Sequence, residues 1–160
     1  MKIATEFIIL HEDGEMPKEE QFCPSLWLGD DYDSDGDYYY DHIDGRWTSL
    51  LIKKKEENEK NTVLEVSVYR EKNRDYDPSV LEVDDLKRFI TYRNNGRYSM
   101  NSEICSISNL CITSIRFETH SIMHYQEFLS TVFFFLNYTR GILINFDELN
   151  ADGFKRKFIE

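Results

Sequence analysis

Hydrophobic positions along this chain switch between a two-residue period and a helical one. Lys2–Leu10 alternates imperfectly and is rich in Ile and Phe, which predicts a first strand. His11–Glu20 is polar, carries Gly14 and Pro17, and reads as a loop; Phe22–Leu28 restores apolar bulk around Pro24 and Trp27. Trp47–Lys54 and Thr62–Arg70 predict two more strands. In the second, Leu64, Val66 and Val68 alternate with Glu65, Ser67 and Tyr69, the signal of a half-buried strand. The charged link between them makes an antiparallel hairpin the natural pairing.

After a polar connector, Glu71–Pro78, Asp84 is placed to cap a helix running to about Asn94, with Leu86, Phe89 and Ile90 on one face. Asn94-Asn95-Gly96 stops it. Two further strands are predicted at Arg97–Ile107 and Leu110–Thr119, separated by Ser108-Asn109. In His124–Thr139, Tyr125, Phe128, Leu129, Val132, Phe133 and Leu136 recur at helical spacing, and Phe134 and Phe135 widen the stripe. The run TVFFFL inside it has strand propensity, but length and the preceding period favour a largely buried helix. Arg140 and Gly141 mark its end, with Gly141 free to take the left-handed conformation. Ile142–Phe146 reads as a short inner strand, and Asn150–Phe158 as a last short helix or tail. This order predicts an α+β fold in one domain over residues 1–160: a single mixed or mostly antiparallel sheet of about six strands with two main helices on one face.

Charge changes this picture at one place. The 160 residues carry a formal charge of −11, and Asp30–Asp44, DDYDSDGDYYYDHID, holds seven aspartates and four tyrosines in fifteen residues. Apart from Ile43 and the rings nothing in it is apolar, so it reads as a solvated acidic loop at 30–44. The balance argues against nucleic-acid binding, which needs a cationic face, and against attraction to anionic membranes. It favours a basic partner. Glu6 interrupts the apolar N-terminal run, which therefore reads as a strand and not a signal peptide. The run Val132–Leu136 is too short to span a bilayer. Cys23, Cys105 and Cys111 form neither a disulfide framework nor a CxxC site, so reduced thiols and a cytoplasmic location are expected.

Candidate chemistry concentrates in the same stretch. Asp31, Asp33, Asp35, Asp37 and Asp41 supply carboxylates for charge-assisted bonds to a partner's Arg and Lys, and Tyr38, Tyr39 and Tyr40 supply contact area and stacking faces. Asp31, Asp33, Asp35 and Gly36 also open a calcium-loop pattern, which then fails at His42, where a bidentate Glu belongs. His120 and His124 are four apart, but no Glu follows the first as a zinc-protease motif requires. Cys105 and Cys111 read as buried hydrophobes, not as nucleophiles served by His120 or His124. No phosphate-cradling glycine loop is present. Lys53-Lys54-Lys55 and Lys155-Arg156-Lys157 read as solvated turn and tail residues. No catalytic residue, metal or cofactor is expected. The alternatives are a phage- or plasmid-type nucleic-acid mimic acting on a host protein, and a metal-binding enzyme or calcium-regulated module built on the aspartates.

In kind, a small acidic α+β protein without a catalytic motif is similar to the immunity proteins of bacterial polymorphic-toxin and contact-dependent growth inhibition systems. The segment FLSTVFFFLNYTRGILINFDEL, Phe128–Leu149, resembles the helix–Gly–strand ending of some of them. The resemblance implies a cytoplasmic protein that binds one cognate toxin and blocks its active site; the acidic stretch makes a basic toxin, such as a nuclease, the expected partner. It carries over no individual functional residue.

Overall fold

The two-residue alternation in the strand-forming segments fixes which side of each strand is buried. The structure, a computed structural model, describes residues 2–22, 33–36, 38, 45–55, 60–71, 88, 91 and 106–160. Among these the elements run β1 (Ile3–Glu12), α1 (Glu19–Phe22), β2 (Asp33–Asp35), β3 (Ser49–Lys55), β4 (Asn61–Arg70), β5 (Leu110–Thr119), α2 (Ile122–Thr139), β6 (Ile142–Leu143) and α3 (Ala151–Phe154). A π-helical turn, Lys155–Ile159, follows. Every strand pairing is antiparallel, in one sheet of order β2-β3-β4-β5-β1-β6. The fold is α+β, and the β3–β4 hairpin forms as the sequence implies, with Leu50 opposite Val66 and Ile52 opposite Leu64.

Thr62, Leu64, Val66, Val68 and Arg70 are buried along β4, while the residues between them are half-buried. Of these, Leu64, Val66 and Val68 join Phe7 and Ile9 of β1 and Ile115 and Phe117 of β5 in the main core. Helix α2 closes this core with Phe128, Leu129, Thr131, Val132, Phe135 and Leu136. The Phe117 and Phe128 rings stack at 4.3 Å, and Phe135 meets Phe22 at 4.8 Å. Residues of the opposite strand parity, Leu10, Leu110 and Ile112, form a smaller cluster with Ile142.

Several boundaries differ from expectation. His11 and Glu12 continue β1, opposite Cys111 and Leu110, where polarity predicts a loop. Helix α2 begins at Ile122, because Ser121 has extended backbone and its hydroxyl accepts the His124 N–H at 3.3 Å. The left-handed residue at its end is Arg140, with φ 55°, not Gly141. Gly141 is needed for clearance instead: a Cβ there would lie 2.5 Å from Ile9 Cγ2. Only Ile142–Leu143 of the last predicted strand is a strand; Asn145 beyond it uses its side-chain amide to continue the pairing, accepting from Ile8 N–H and donating to the Glu6 carbonyl. The C-terminal segment is helical. The helix predicted at Asp84–Asn94 is described only at Arg88 and Thr91, both helical. The strand predicted at Arg97–Ile107 lies outside the described residues except Ser106 and Ile107, which are not strand.

Candidate partner-binding edge

Part of the acidic stretch joins the sheet. Asp33-Ser34-Asp35 forms β2 at the sheet's edge, with Asp33 opposite Lys53, Ser34 opposite Ile52 and Asp35 opposite Leu51. This extended backbone is not the curled loop of a calcium-binding motif. Gly36 then turns the chain with φ 120°, and a Cβ there would stand 2.3 Å from the Ser49 carbonyl oxygen, so only glycine fits.

Tyr38 corrects the expectation of a solvent-facing anchor. It is 3% exposed and belongs to the main core. Its ring meets Trp47 edge-on, and its hydroxyl accepts the Glu19 N–H. A ring so placed is lost to a partner; burying its apolar body while bonding its hydroxyl satisfies both halves of the side chain. Asp31, Asp37, Tyr39, Tyr40 and Asp41 lie outside the described residues.

The far end of the stretch is clamped from below. Gly45, at φ 72°, packs against Glu15, and its carbonyl accepts the Met16 N–H at 3.1 Å. Trp47 donates its indole N–H to the Pro17 carbonyl at 3.1 Å and stacks with Phe22, whose own carbonyl takes the Thr131 hydroxyl of α2. Arg70, 2% exposed, donates to Asp13 at 3.0 Å, to the Trp47 carbonyl at 3.1 Å and to the Arg46 carbonyl at 3.3 Å. Arg46 adds a second cation on Asp13 at 3.3 Å. The buried guanidinium is thus paired and bonded on several sides, which burial of a charge demands.

Beside Arg70, Cys111 and His11 stand in register across β4, β5 and β1. Burial pushes the Cys111 thiol up to about 12, so it is a packed hydrophobe and not a nucleophile. Burial likewise lowers His11 to about 4, helped by the Arg70 charge and opposed by the Glu12 carbonyl bond. Because that carbonyl only accepts, Nδ1 carries the proton at 2.8 Å, and Nε2 accepts the Thr113 hydroxyl at 2.7 Å. His11 also walls a cleft of about 540 Å³ at the end of α2, shared with Leu10, Leu136, Arg140, Ile142 and Asp152. Both its nitrogens are engaged, and the Glu12 carboxylate is taken by the Ser108 and Asn109 N–H groups at 2.6 and 2.9 Å.

His120 follows the end of β5 and His124 sits in the first turn of α2, where its Nδ1 lies 3.3 Å from the Thr62 hydroxyl. No group of three or more potential metal ligands occurs among the described residues. Among them, too, no helix is long and apolar enough to cross a membrane. Sequence reasoning missed the Arg70–Asp13–His11 cluster. One signal was present: Arg70 continues the even-numbered buried phase of Leu64, Val66 and Val68. No protein-family model matches the chain, and no curated protein or solved structure matches it.

Proposed function

We propose that this chain is an immunity-type protein that binds a cognate basic toxin, such as a nuclease, in the cytoplasm and neutralises it by blocking its active site. The observation that carries this reading is β2: the most acidic segment of a −11 chain is fastened along the edge of the sheet. An edge strand offers main-chain groups for strand addition, and aspartates beside it steer and pair with cations. The reading takes the main helices to share one face of a sheet of about six strands, leaving this edge to the partner. In the cleft at the end of α2 both His11 nitrogens and the Glu12 carboxylate are engaged within the fold, which favours binding over catalysis by these two residues.

The test begins with capture of a basic protein from the source-cell lysate at low salt, followed by association rates across a salt series. Replacing Asp33, Asp35 and Asp37 by Asn is expected to slow association about tenfold or more and to flatten its salt dependence, since rim charges act mainly on the on-rate. The thermal melt should stay where it is. Unchanged association after the triple substitution would remove the acidic edge from the mechanism.

A further inference from the structure

The opposite side of the sheet carries a second edge with a different character. There β6 covers β1 only at Ile9 and Leu10, and Ile144 donates to the Ile8 carbonyl at 3.0 Å. The Asn145 amide then takes the Ile8 N–H at 3.1 Å and the Glu6 carbonyl at 2.6 Å. The even-numbered residues of β1 therefore turn their backbone groups away from β5. Ala4 has the same parity, is exposed, and has no strand on that side among the described residues. A bare edge of this kind is a template for another chain.

The charges along it are self-complementary. Lys2 and Glu6 lie two residues either side of Ala4, with side chains 57% and 42% exposed. Their present partners are on β5: Lys2 with Glu118 at 3.6 Å, and Glu6 with Arg116 at 3.7 Å and the Ser114 hydroxyl at 2.8 Å. If two copies pair antiparallel with Ala4 opposite Ala4, each Lys2 falls opposite Glu6 of the other copy, whose carbonyl then exchanges the Asn145 amide for the incoming Lys2 N–H. The same register brings the two outward Ala4 N–H and C=O groups into a bonded pair. Ala4 is small enough to sit on the two-fold axis, and a two-fold contact uses the same patch on both copies. Close by, Phe146 is 47% exposed and packs on Phe7 at 5.0 Å. In this register Ile3 of one copy stands opposite Thr5 of the other, one step along the strand face from Phe7.

We propose that the β1 edge from Lys2 to Glu6 pairs with a second copy of this chain, centred on Ala4, to join two sheets into one. The acidic β2 edges then lie at the two far ends of the joined sheet, so the dimer contact and the proposed toxin contact use different edges.

Sedimentation equilibrium of the full chain over a concentration series tests this. The wild-type chain is expected to dimerise. Lys2→Glu alone sets Glu against Glu6 twice by symmetry, and Glu6→Lys alone sets Lys against Lys2 twice. Each should weaken the dimer about tenfold, the combined effect of two like-charge cross-strand pairs. The double swap Lys2→Glu/Glu6→Lys restores opposite charges and should restore the dimer. Ala4→Pro deletes only an outward N–H and should abolish it while circular dichroism stays native. A wild-type chain that stays monomeric at millimolar concentration overturns the proposal. So does a dimer indifferent to Ala4→Pro and the single swaps, which uses another surface. So does an edge that pairs only with a different protein. All three can occur with the toxin reading intact, because that reading is tested at Asp33, Asp35 and Asp37.

Discussion

The Tyr38 ring stands edge-on to the Trp47 indole, with centroids 5.2 Å apart and planes at 78°. This contact ties the middle of the acidic stretch to the main core, while β2 ties its beginning to the sheet edge. The backbone of β2 and the Tyr38 ring are therefore both held by the fold itself.

Tyr38 should act on stability before it acts on binding. Tyr38→Ala is expected to cost about 3–5 kcal/mol, the range for deleting a large buried ring. Tyr38→Phe keeps the ring and loses the bond from the Glu19 N–H, for about 1 kcal/mol. Urea denaturation of the two variants measures both. A Tyr38→Ala protein as stable as wild type would show that the ring is not held in the core.

Arg70 and Asp13 form a pair at 3.0 Å whose cation is buried. Asp13→Ala strands that guanidinium and should cost about 3–5 kcal/mol, the usual penalty for breaking a buried pair from one side. The double variant Arg70→Met/Asp13→Leu should lie closer to wild type, because no uncompensated charge remains. A double-mutant cycle by chemical denaturation reads the coupling.

His11 gives stability a pH dependence of definite sign. Its folded value of about 4 lies below the ordinary 6.5, so between these limits the unfolded chain binds a proton that the folded chain refuses. The contribution of neutral His11 is complete above about pH 6.5 and is lost as the pH falls toward 4, by on the order of 3 kcal/mol. The groups that act on it are Arg70, Asp13 and Glu12. Denaturation at several pH values from 7.5 to 4.5 should show the loss, and His11→Gln should flatten it. Equal slopes in both proteins would assign the acid sensitivity to other groups.

The legible parts of the fold are those where one face is buried. In β4 the alternation of Leu64, Val66 and Val68 could be read directly, because water on one side and core on the other enforce a two-residue period. The stripe of α2 was legible for the same reason at helical spacing. Where pairing overrides local preference, the sequence is mute. Asp is a poor strand former, yet Asp33–Asp35 is held against β3. His11 and Glu12 look like loop residues, and the His11 Nε2 and the Glu12 carboxylate find their partners at Thr113, Ser108 and Asn109, about a hundred positions away. Tyr38 stands in a run of three identical residues, so no period singles it out as the buried one. At the candidate edge, composition announced the charge but not that a strand presents it.

The end of α2 separates two reasons for a glycine. Arg140 takes φ 55° and donates its N–H to the Leu136 carbonyl, closing the helix in a conformation that crowds any Cβ. Arg140→Gly is expected to stabilise the fold by about 1 kcal/mol, since glycine adopts this geometry without that crowding. Gly141 is not left-handed, but a Cβ on it would meet Ile9 Cγ2 at 2.5 Å and the Leu10 carbonyl oxygen at 2.9 Å. The Leu10 contact is backbone of the innermost part of β1, which cannot yield without disturbing the pairing to β6. Gly141→Ala should therefore destabilise by about 1–3 kcal/mol, the usual range for overpacking. Thermal melts of the two variants should move in opposite directions. Equal shifts would mean that left-handed strain and close packing do not divide between these two positions.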